Sequence, residues 1–195
     1  MHVDALFAES TRERLRRASA GLDVAELSGR PFAMSHALAE LARCYLELAA
    51  QPSAEAHFES AVRWARLCGS VDHVADLLCE AADAAVRVAL AREAESDVPQ
   101  DGPASLTAVS ERDLAAGHAA RERARDRAFE VSQLASRVSD PSCEARLLLR
   151  VGEVLERCGD HADAVQMQVR AFNRMGGVAP RDASRLSGFG RLADG

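Results

Sequence analysis

The chain has 195 residues, 48% apolar and 28% charged, a balance typical of one folded globular domain rather than a disordered segment. All 24 basic residues are arginine, and the net charge of −6 argues against a general nucleic-acid binder. Aromatic residues make up only 4%. Alanine, the best helix former, stands where strands would have Val, Ile and aromatic residues, so the composition predicts an all-α protein.

The termini and the cysteines indicate the compartment. No basic segment followed by an apolar run begins the chain, so we expect no signal peptide. No run of about 18 apolar residues predicts a membrane span. The five cysteines are odd in number, widely spaced and without a CxxC motif, which favours reduced, mostly buried thiols over disulfides or zinc. We therefore expect a cytoplasmic, bacterial-type protein.

Helix start and stop signals divide the chain. The predicted helices cover about 4–21, 32–49, 53–68, 71–96 and 111–138, then a sixth from 141 to Gly159 and a seventh from 160 to 176. A turn is predicted at 28–31, the clearest loop at 96–105, and a short helix near 181–187 or a flexible tail over 179–195.

Cap residues support several of these boundaries. Ser53 is a predicted N-cap, and Ser110 with Asp113 resembles a capping box. Asp140 before a proline opens the sixth helix. We expect Gly159 to adopt the left-handed conformation and Asp160 to cap the seventh helix, making 159–160 the turn of a helical hairpin.

A repeated spacing of apolar and small residues runs through the chain. In 35–68 the positions are Leu38, Leu41, Ala42, Tyr45, Ala54, Phe58 and Ala61. In 145–178 they are Leu148, Val151, Gly152, Leu155, Ala164 and Ala171, with Gln168 in the aromatic position. A weaker copy over 75–138 has Leu78, Ala81, Ala82, Ala85, Ala124, Ala128 and Val131. The small residues predict close approach of two helices, and each hairpin needs a neighbour to bury its apolar edge.

This spacing resembles the tetratricopeptide repeat (TPR), a 34-residue helix–turn–helix unit. The resemblance implies an all-α fold, with antiparallel hairpins stacked as a short right-handed superhelix and one domain over 1–178. The middle hairpin departs from the family, because helices of about 26 and 28 residues would be about 40 Å long. Ala116, Ala120, Ala124 and Ala128 predict the packed side of its second helix. It is interpreted either as a long hairpin or as a protruding contact or dimer arm.

No motif predicts catalysis, a cofactor or a metal site. The six histidines form no HxxxH or HExxH spacing, and no Gly-rich phosphate loop is present. The arginine-rich run at 121–130 is interpreted as a solvated helix face with i, i+4 pairs. The run at 12–17 is either a wet side of a capping helix or a patch for an acidic ligand. We expect no enzyme.

The TPR resemblance implies a binding groove lined by the first helix of each unit. The residues so placed, as the predicted partner-binding groove, are His36, Arg43, Leu46, Asp76, Asp83, Arg146, Leu149 and Glu153. Acidic residues stand where chaperone-binding TPR proteins need Lys and Asn to clamp a peptide carboxylate, so that partner class is excluded. The expected function is binding of a protein or peptide partner of mixed or partly basic charge. The alternatives are a homodimeric sensory or regulatory module and a small TPR-type secretion chaperone.

Overall fold

The computed structural model describes residues 2–96 and 105–176, and within these ranges the chain forms seven helices. Their bounds are α1 (His2–Ser28), α2 (Pro31–Glu47), α3 (Gln51–Arg66), α4 (Val71–Ser96), α5 (Ser105–Ala135), α6 (Pro141–Cys158) and α7 (His161–Arg174). No strand occurs among the described residues. The predicted all-α class is confirmed.

Consecutive helices pack as hairpins, and the hairpins stack. The hairpins are α2/α3, α4/α5 and α6/α7, and α1 packs against α2. Neighbouring hairpins touch through α3 and α4, through α5 and α6, and directly through α4 and α6. The first helices of the hairpins lie side by side, since α4 contacts α6 and side chains of α2 bond to α4, and we call the surface they form the α2/α4/α6 face.

Small residues allow the close packing inside each hairpin, as the repeated spacing predicts. Ala42 and Ala54 are fully buried between α2 and α3. Gly152 occupies the position of Ala42 in the last hairpin, and a Cβ atom built there would lie 3.2 Å from the carbonyl oxygen of Ala164. Alanine-rich faces bring the helix axes together, and Phe58, Leu148 and Leu155 fill the remaining volume.

The first helix is longer than predicted. It continues through Gly21 to Ser28, and Gly29, with a φ of 60°, ends it. A single glycine in a helix costs about 1 kcal/mol, which a helix of this length and packing tolerates. The extra residues include Ala25, which is buried in the main core.

Two predicted N-caps are wrong. The third helix begins at Gln51, with Pro52 in its first turn, so Ser53 lies inside the helix. The fifth helix begins at Ser105, so Ser110 and Asp113 lie inside it and form no capping box. In α3 the proline in the first turn fixes the start of the helix, because its missing N–H costs nothing at that position.

The turn at the last hairpin follows the prediction in part. Gly159 has a φ of 88°, and its N–H and that of the next residue bond back to the carbonyls of Glu156 and Leu155. Asp160 stands at the N-cap, but its carboxylate accepts no bond from a helix N–H. It binds Arg125 of α5 instead. Asp140 caps α6 as predicted, accepting a bond of 3.0 Å from the N–H of Ser142.

The middle hairpin extends beyond the other two. Its helices have 26 and 31 residues, about 39 and 46 Å at 1.5 Å per residue. Val88, Ala89 and Ala120 form a small core separate from the main one. Ala116 is exposed, contrary to prediction. Gly117 packs against α4 instead of Ala116. A Cβ atom added at Gly117 would lie 3.5 Å from the carbonyl oxygen of Ala89.

Most of the loop predicted at 96–105 and all of the tail predicted at 179–195 lie outside the described residues. No helix in the described ranges combines the length and the apolar content that crossing a bilayer needs. The five cysteines form no disulfide, and three of them are buried: Cys44, Cys79 and Cys158.

Candidate partner-binding surface

A ladder of ion pairs crosses the α2/α4/α6 face. At its first step, between α2 and α4, Arg43 donates two hydrogen bonds of 2.8 Å to the two carboxylate oxygens of Glu80. The same guanidinium also contacts Glu40 on its own helix. The hydrogen bonds that Arg43 donates to Glu80 raise the pKa of Arg43 above its usual value, so the guanidinium stays charged.

The second step joins α4 to α6 through Asp76. Its carboxylate accepts from Arg146 at 2.9 Å and from Arg150 at 3.2 Å. Arg146 and Asp76 are both partly exposed, so solvent screens the pair and it contributes little to stability. These side chains are therefore accessible to a ligand.

A third step lies farther along the same two helices. Asp83 accepts from Arg157 at 2.8 Å, and a guanidinium nitrogen of Arg150 lies 4.0 Å away. Acidic residues of α4 thus face arginines of α6, whereas an arginine of α2 faces an acid of α4. The face offers alternating charge of both signs to anything that lies across it.

An aromatic and histidine cluster closes one end of the ladder. Phe32 is 60% exposed, and its ring centroid lies 4.9 Å from that of His73 and 6.5 Å from that of His36. Nε2 of His73 is 2.7 Å from the hydroxyl oxygen of Ser35, which links α4 to α2. Burial, followed by the neighbouring His36, lowers the pKa of His73, so the ring is neutral at pH 7.

The pair of Ser35 and His73 resembles the start of a hydrolase triad, but its surroundings differ. Ser35 is fully buried and donates a hydrogen bond of 3.0 Å to the carbonyl of Phe32 in its own helix. A nucleophilic hydroxyl must reach a substrate carbonyl, and this one is closed off. The pair instead ties the two helices together.

A depression of about 370 Å³ joins the cluster to the ladder. Four of the eight predicted groove residues line it: His36, Arg43, Asp76 and Arg146. Asp83 lies beyond the depression but continues the ladder. Leu46 packs partly buried against the core, and Leu149 and Glu153 are exposed on α6 outside the depression.

Two of the ladder residues that the sequence prediction missed, Glu80 and Arg150, share one register position. Both stand where Glu40 stands in the first unit, and Arg150 directly follows the predicted groove residue Leu149. That position faces the neighbouring first helix, so its side chains make the contacts across the seams. The spacing of 40 and 110 residues between these three side chains is visible in the sequence and was the available signal.

The second charge run is not a solvated helix face, contrary to prediction. Glu55 of α3 is buried and binds Arg123 at 2.7 and 3.0 Å and Arg127 at 3.1 Å, both from α5. Arg127 also donates to the Ala81 carbonyl at 2.9 Å. Burial alone would raise the pKa of Glu55, but the bonds and charges of the two arginines outweigh it and lower the pKa.

The same run makes further contacts between helices. Arg121 binds Glu93 of α4, Arg125 binds Asp160 at the start of α7, and Glu130 accepts from Arg66 of α3 at 2.8 Å. Within α5, among its described side chains, Arg125 pairs with Glu122. The charged side chains of this run therefore hold α5 against neighbouring helices, and they do not form a solvent-exposed face.

The first charge run lies beside a groove between α1 and α2. Arg14 pairs with Glu47 of α2, and Arg16 and Arg17 both pair with Glu13. The groove has a volume of about 610 Å³ and a mostly apolar lining. We call it the α1/α2 groove; its floor is formed by Ala18, Gly21, Ala25, Ala33 and Ala37.

Comparisons with known proteins add no assignment. No family model matches the chain, and no curated protein matches it significantly. The TPR resemblance therefore stays a prediction from the repeated spacing. Within the described residues, no group of three or more His, Cys, Asp or Glu side chains could hold a metal ion.

Proposed function

We propose that the protein is an interaction module that binds a peptide or protein segment across the α2/α4/α6 face. The observation that carries the proposal is the open row of alternating charges that ends at the exposed ring of Phe32. Interaction surfaces commonly combine an aromatic anchor with charged contacts at their rim. The proposal involves no catalytic step, cofactor or metal.

The ladder also indicates the chemistry of the partner. Each charge of the ladder already has a partner of opposite sign, so a ligand that lies across the ladder must exchange ion pairs rather than neutralise free charges. Exchange of exposed pairs contributes more to selectivity and orientation than to affinity. A segment of mixed charge with one apolar or aromatic residue placed on Phe32 fits these conditions.

The compartment is part of the same proposal. The support is that all five cysteines are unpaired, including the half-buried Cys68 and Cys143. An oxidising compartment favours disulfides in small proteins, whereas a reducing cytoplasm keeps thiols free. We therefore propose a bacterial-type cytoplasm as the site of binding.

Selection from a random peptide library displayed on phage tests the surface directly. The purified protein should enrich a consensus of mixed charge with an aromatic or large apolar residue. Synthetic consensus peptide is then titrated by fluorescence anisotropy. Phe32→Ala and Arg146→Glu should each weaken its binding at least tenfold, since one removes the anchor and the other reverses a charge that is 51% exposed.

Arg63→Glu is the matched control, because Arg63 is an exposed arginine on α3, outside the face, bound only to Ser60. It should leave the affinity unchanged. Failure to enrich any consensus, or equal loss of binding in Arg63→Glu and Arg146→Glu, would contradict the proposed surface.

A second candidate function is a homodimeric sensory or regulatory module. The observation that favours it is the extended α4/α5 hairpin, which exposes Leu90 and Leu114 at 45% and 41%. Two such hairpins could bury these leucines against each other. Light scattering distinguishes the candidates, because the dimer should dissociate in Leu90→Arg, whereas a monomeric native protein rejects this function.

A further inference from the structure

The α1/α2 groove is a second surface, distinct from the α2/α4/α6 face except at His36, which lines both. We propose that it seats an amphipathic helix of another protein, with alanine or leucine on one side and acidic residues along the edges. This inference goes beyond the proposed function, since the two surfaces would take different ligands.

The register of the fold shows that the groove is the seat of a helix. Residues 14–47 align with 54–87 at an offset of 40, so α1 and α2 correspond to α3 and α4. The place beside α3 and α4 is filled by α2, which packs on α3 and bonds to α4 through side chains, and the place beside α5 and α6 is filled by α4. Among the described residues, no helix takes the corresponding place beside α1 and α2.

The side chains of α1 agree with this register. At the offset of 40 residues, Gly21 of α1 corresponds to Ala61 of α3, which is fully buried. Gly21 itself is exposed, and a Cβ atom added there would meet nothing within 4 Å. Val24 follows it, 67% exposed at the edge of the groove. The small residue on α1 would allow another helix to pack closely against it, but no described helix lies there.

The length and floor of the groove favour a helix over a small molecule. On α1 the lining runs from Arg14 to Ser28, a rise of about 21 Å at 1.5 Å per residue. This length matches about four turns of a helix. Its alanine and glycine floor offers a smooth apolar strip rather than polar groups converging on one point, as a small-molecule site would have.

The rim of the groove carries positive charge. Arg17 is 74% exposed and holds only a 3.2 Å pair with Glu13, and Arg30 has no carboxylate partner among the described residues. The one carboxylate in the lining, Glu40, already contacts Arg43. An incoming helix with Glu or Asp along its edges would therefore find opposite charge on the rim, and a helix with Lys would be repelled.

Two designed peptides of about 18 residues test the proposal with the full chain. Both present the same alanine and leucine face, and they differ only in having glutamate or lysine along the edges. In fluorescence anisotropy at low salt, the glutamate peptide should bind at least tenfold more tightly than the lysine peptide. The double variant Arg17→Glu, Arg30→Glu should remove or reverse this preference.

A larger side chain at Gly21 tests whether the peptide binds in the α1/α2 groove. Gly21→Leu should abolish binding of the glutamate peptide, while its helix content by circular dichroism stays unchanged because open space surrounds the added side chain. Ala20→Leu is the matched control, one residue away on the exposed side of α1 and outside the groove lining. It should bind the peptide as the native chain does.

The outcomes separate this proposal from the proposed function. Arg146→Glu, which tests the α2/α4/α6 face, should leave binding of the glutamate peptide unchanged. No binding of the glutamate peptide to the native chain, equal binding of both peptides, or full binding by Gly21→Leu would overturn the proposal. A native dimer that Gly21→Leu dissociates would also overturn it, because the occupant would then be a second copy of the chain.

Discussion

Gly152 gives a quantitative test of the hairpin packing. It is buried in the middle of α6, where α7 crosses it. An added Cβ would lie 3.2 Å from the Ala164 carbonyl oxygen, 3.4 Å from Cγ of Gln168 and 3.7 Å from Cβ of Met167. The first of these contacts is with backbone and is shorter than ordinary van der Waals distance. The α7 backbone would have to move to admit a side chain.

Gly152→Leu should therefore destabilise the protein. Leucine adds three further carbons beyond the Cβ, and overpacking of this kind costs about 1–3 kcal/mol. Helix propensity acts in the opposite direction, since leucine is better than glycine in a helix by up to about 1 kcal/mol. We expect the steric cost to exceed this gain, because the closest neighbour is a carbonyl and not a flexible side chain.

Urea unfolding followed by circular dichroism measures the effect, with m-values compared to exclude a change in the denatured state. Gly117→Ala is the control: its Cβ would meet Arg92 Cβ at 3.4 Å and the Ala89 carbonyl at 3.5 Å, which are ordinary contacts. It should raise stability by up to about 1 kcal/mol. A Gly152→Leu protein as stable as the native one would refute both the register of the last hairpin and the assignment of its surfaces.

Three further predictions concern buried polar groups. Glu55→Ala should lose about 2–4 kcal/mol in urea unfolding, because it leaves two arginines without their buried acceptor, whereas Glu59→Ala, at an exposed site, should lose less than about 1 kcal/mol. The pKa of His73 is lower in the folded protein than in the unfolded chain, so the unfolded chain binds the proton first as the pH falls. The free energy of unfolding should therefore decrease as the pH is lowered through the ordinary histidine pKa, and this decrease should be smaller in His73→Gln. Five thiols should react with Ellman's reagent in denaturant, but in the native state Cys79 should react slowest, since burial raises its pKa to about 12. A count of three or one would mean disulfides.

The sequence predicts the parts of the fold that depend on local pattern. Alanine content, capping residues such as Asp140 and the glycine at 159 act over a few residues, so the helices and the last turn follow from them. The repeated spacing also identifies buried small residues, because a hairpin brings together residues that are close in the chain. Gln168 in the last hairpin corresponds to Phe58 in the first, and Phe58 is buried where the next hairpin packs on it. No described hairpin follows α7, and Gln168 is exposed.

The candidate surfaces were harder to predict, because they depend on which helices become neighbours. The contacts of Arg123 and Arg127 with Glu55 join residues about 70 apart in sequence, and nothing in the alternating run at 121–130 indicates them. The α1/α2 groove was missed because the first helix was predicted to end at Gly21. Three of the seven α1 residues that line the groove, Val24, Ala25 and Ser28, lie in the turns of α1 beyond that residue.

The arginines explain how an alanine-rich core stacks in one register. Alanine buries little area per residue, and a strip of small side chains allows neighbouring hairpins to slide along each other. The guanidinium of Arg43 donates two hydrogen bonds to both oxygens of one carboxylate on another helix, and the guanidinium of Arg123 does the same. A bidentate contact is directional, so a shift by one turn would break it and leave Glu55 buried without partners. The alanines thus supply close approach, and the arginine–carboxylate contacts select the alignment that forms the α2/α4/α6 face.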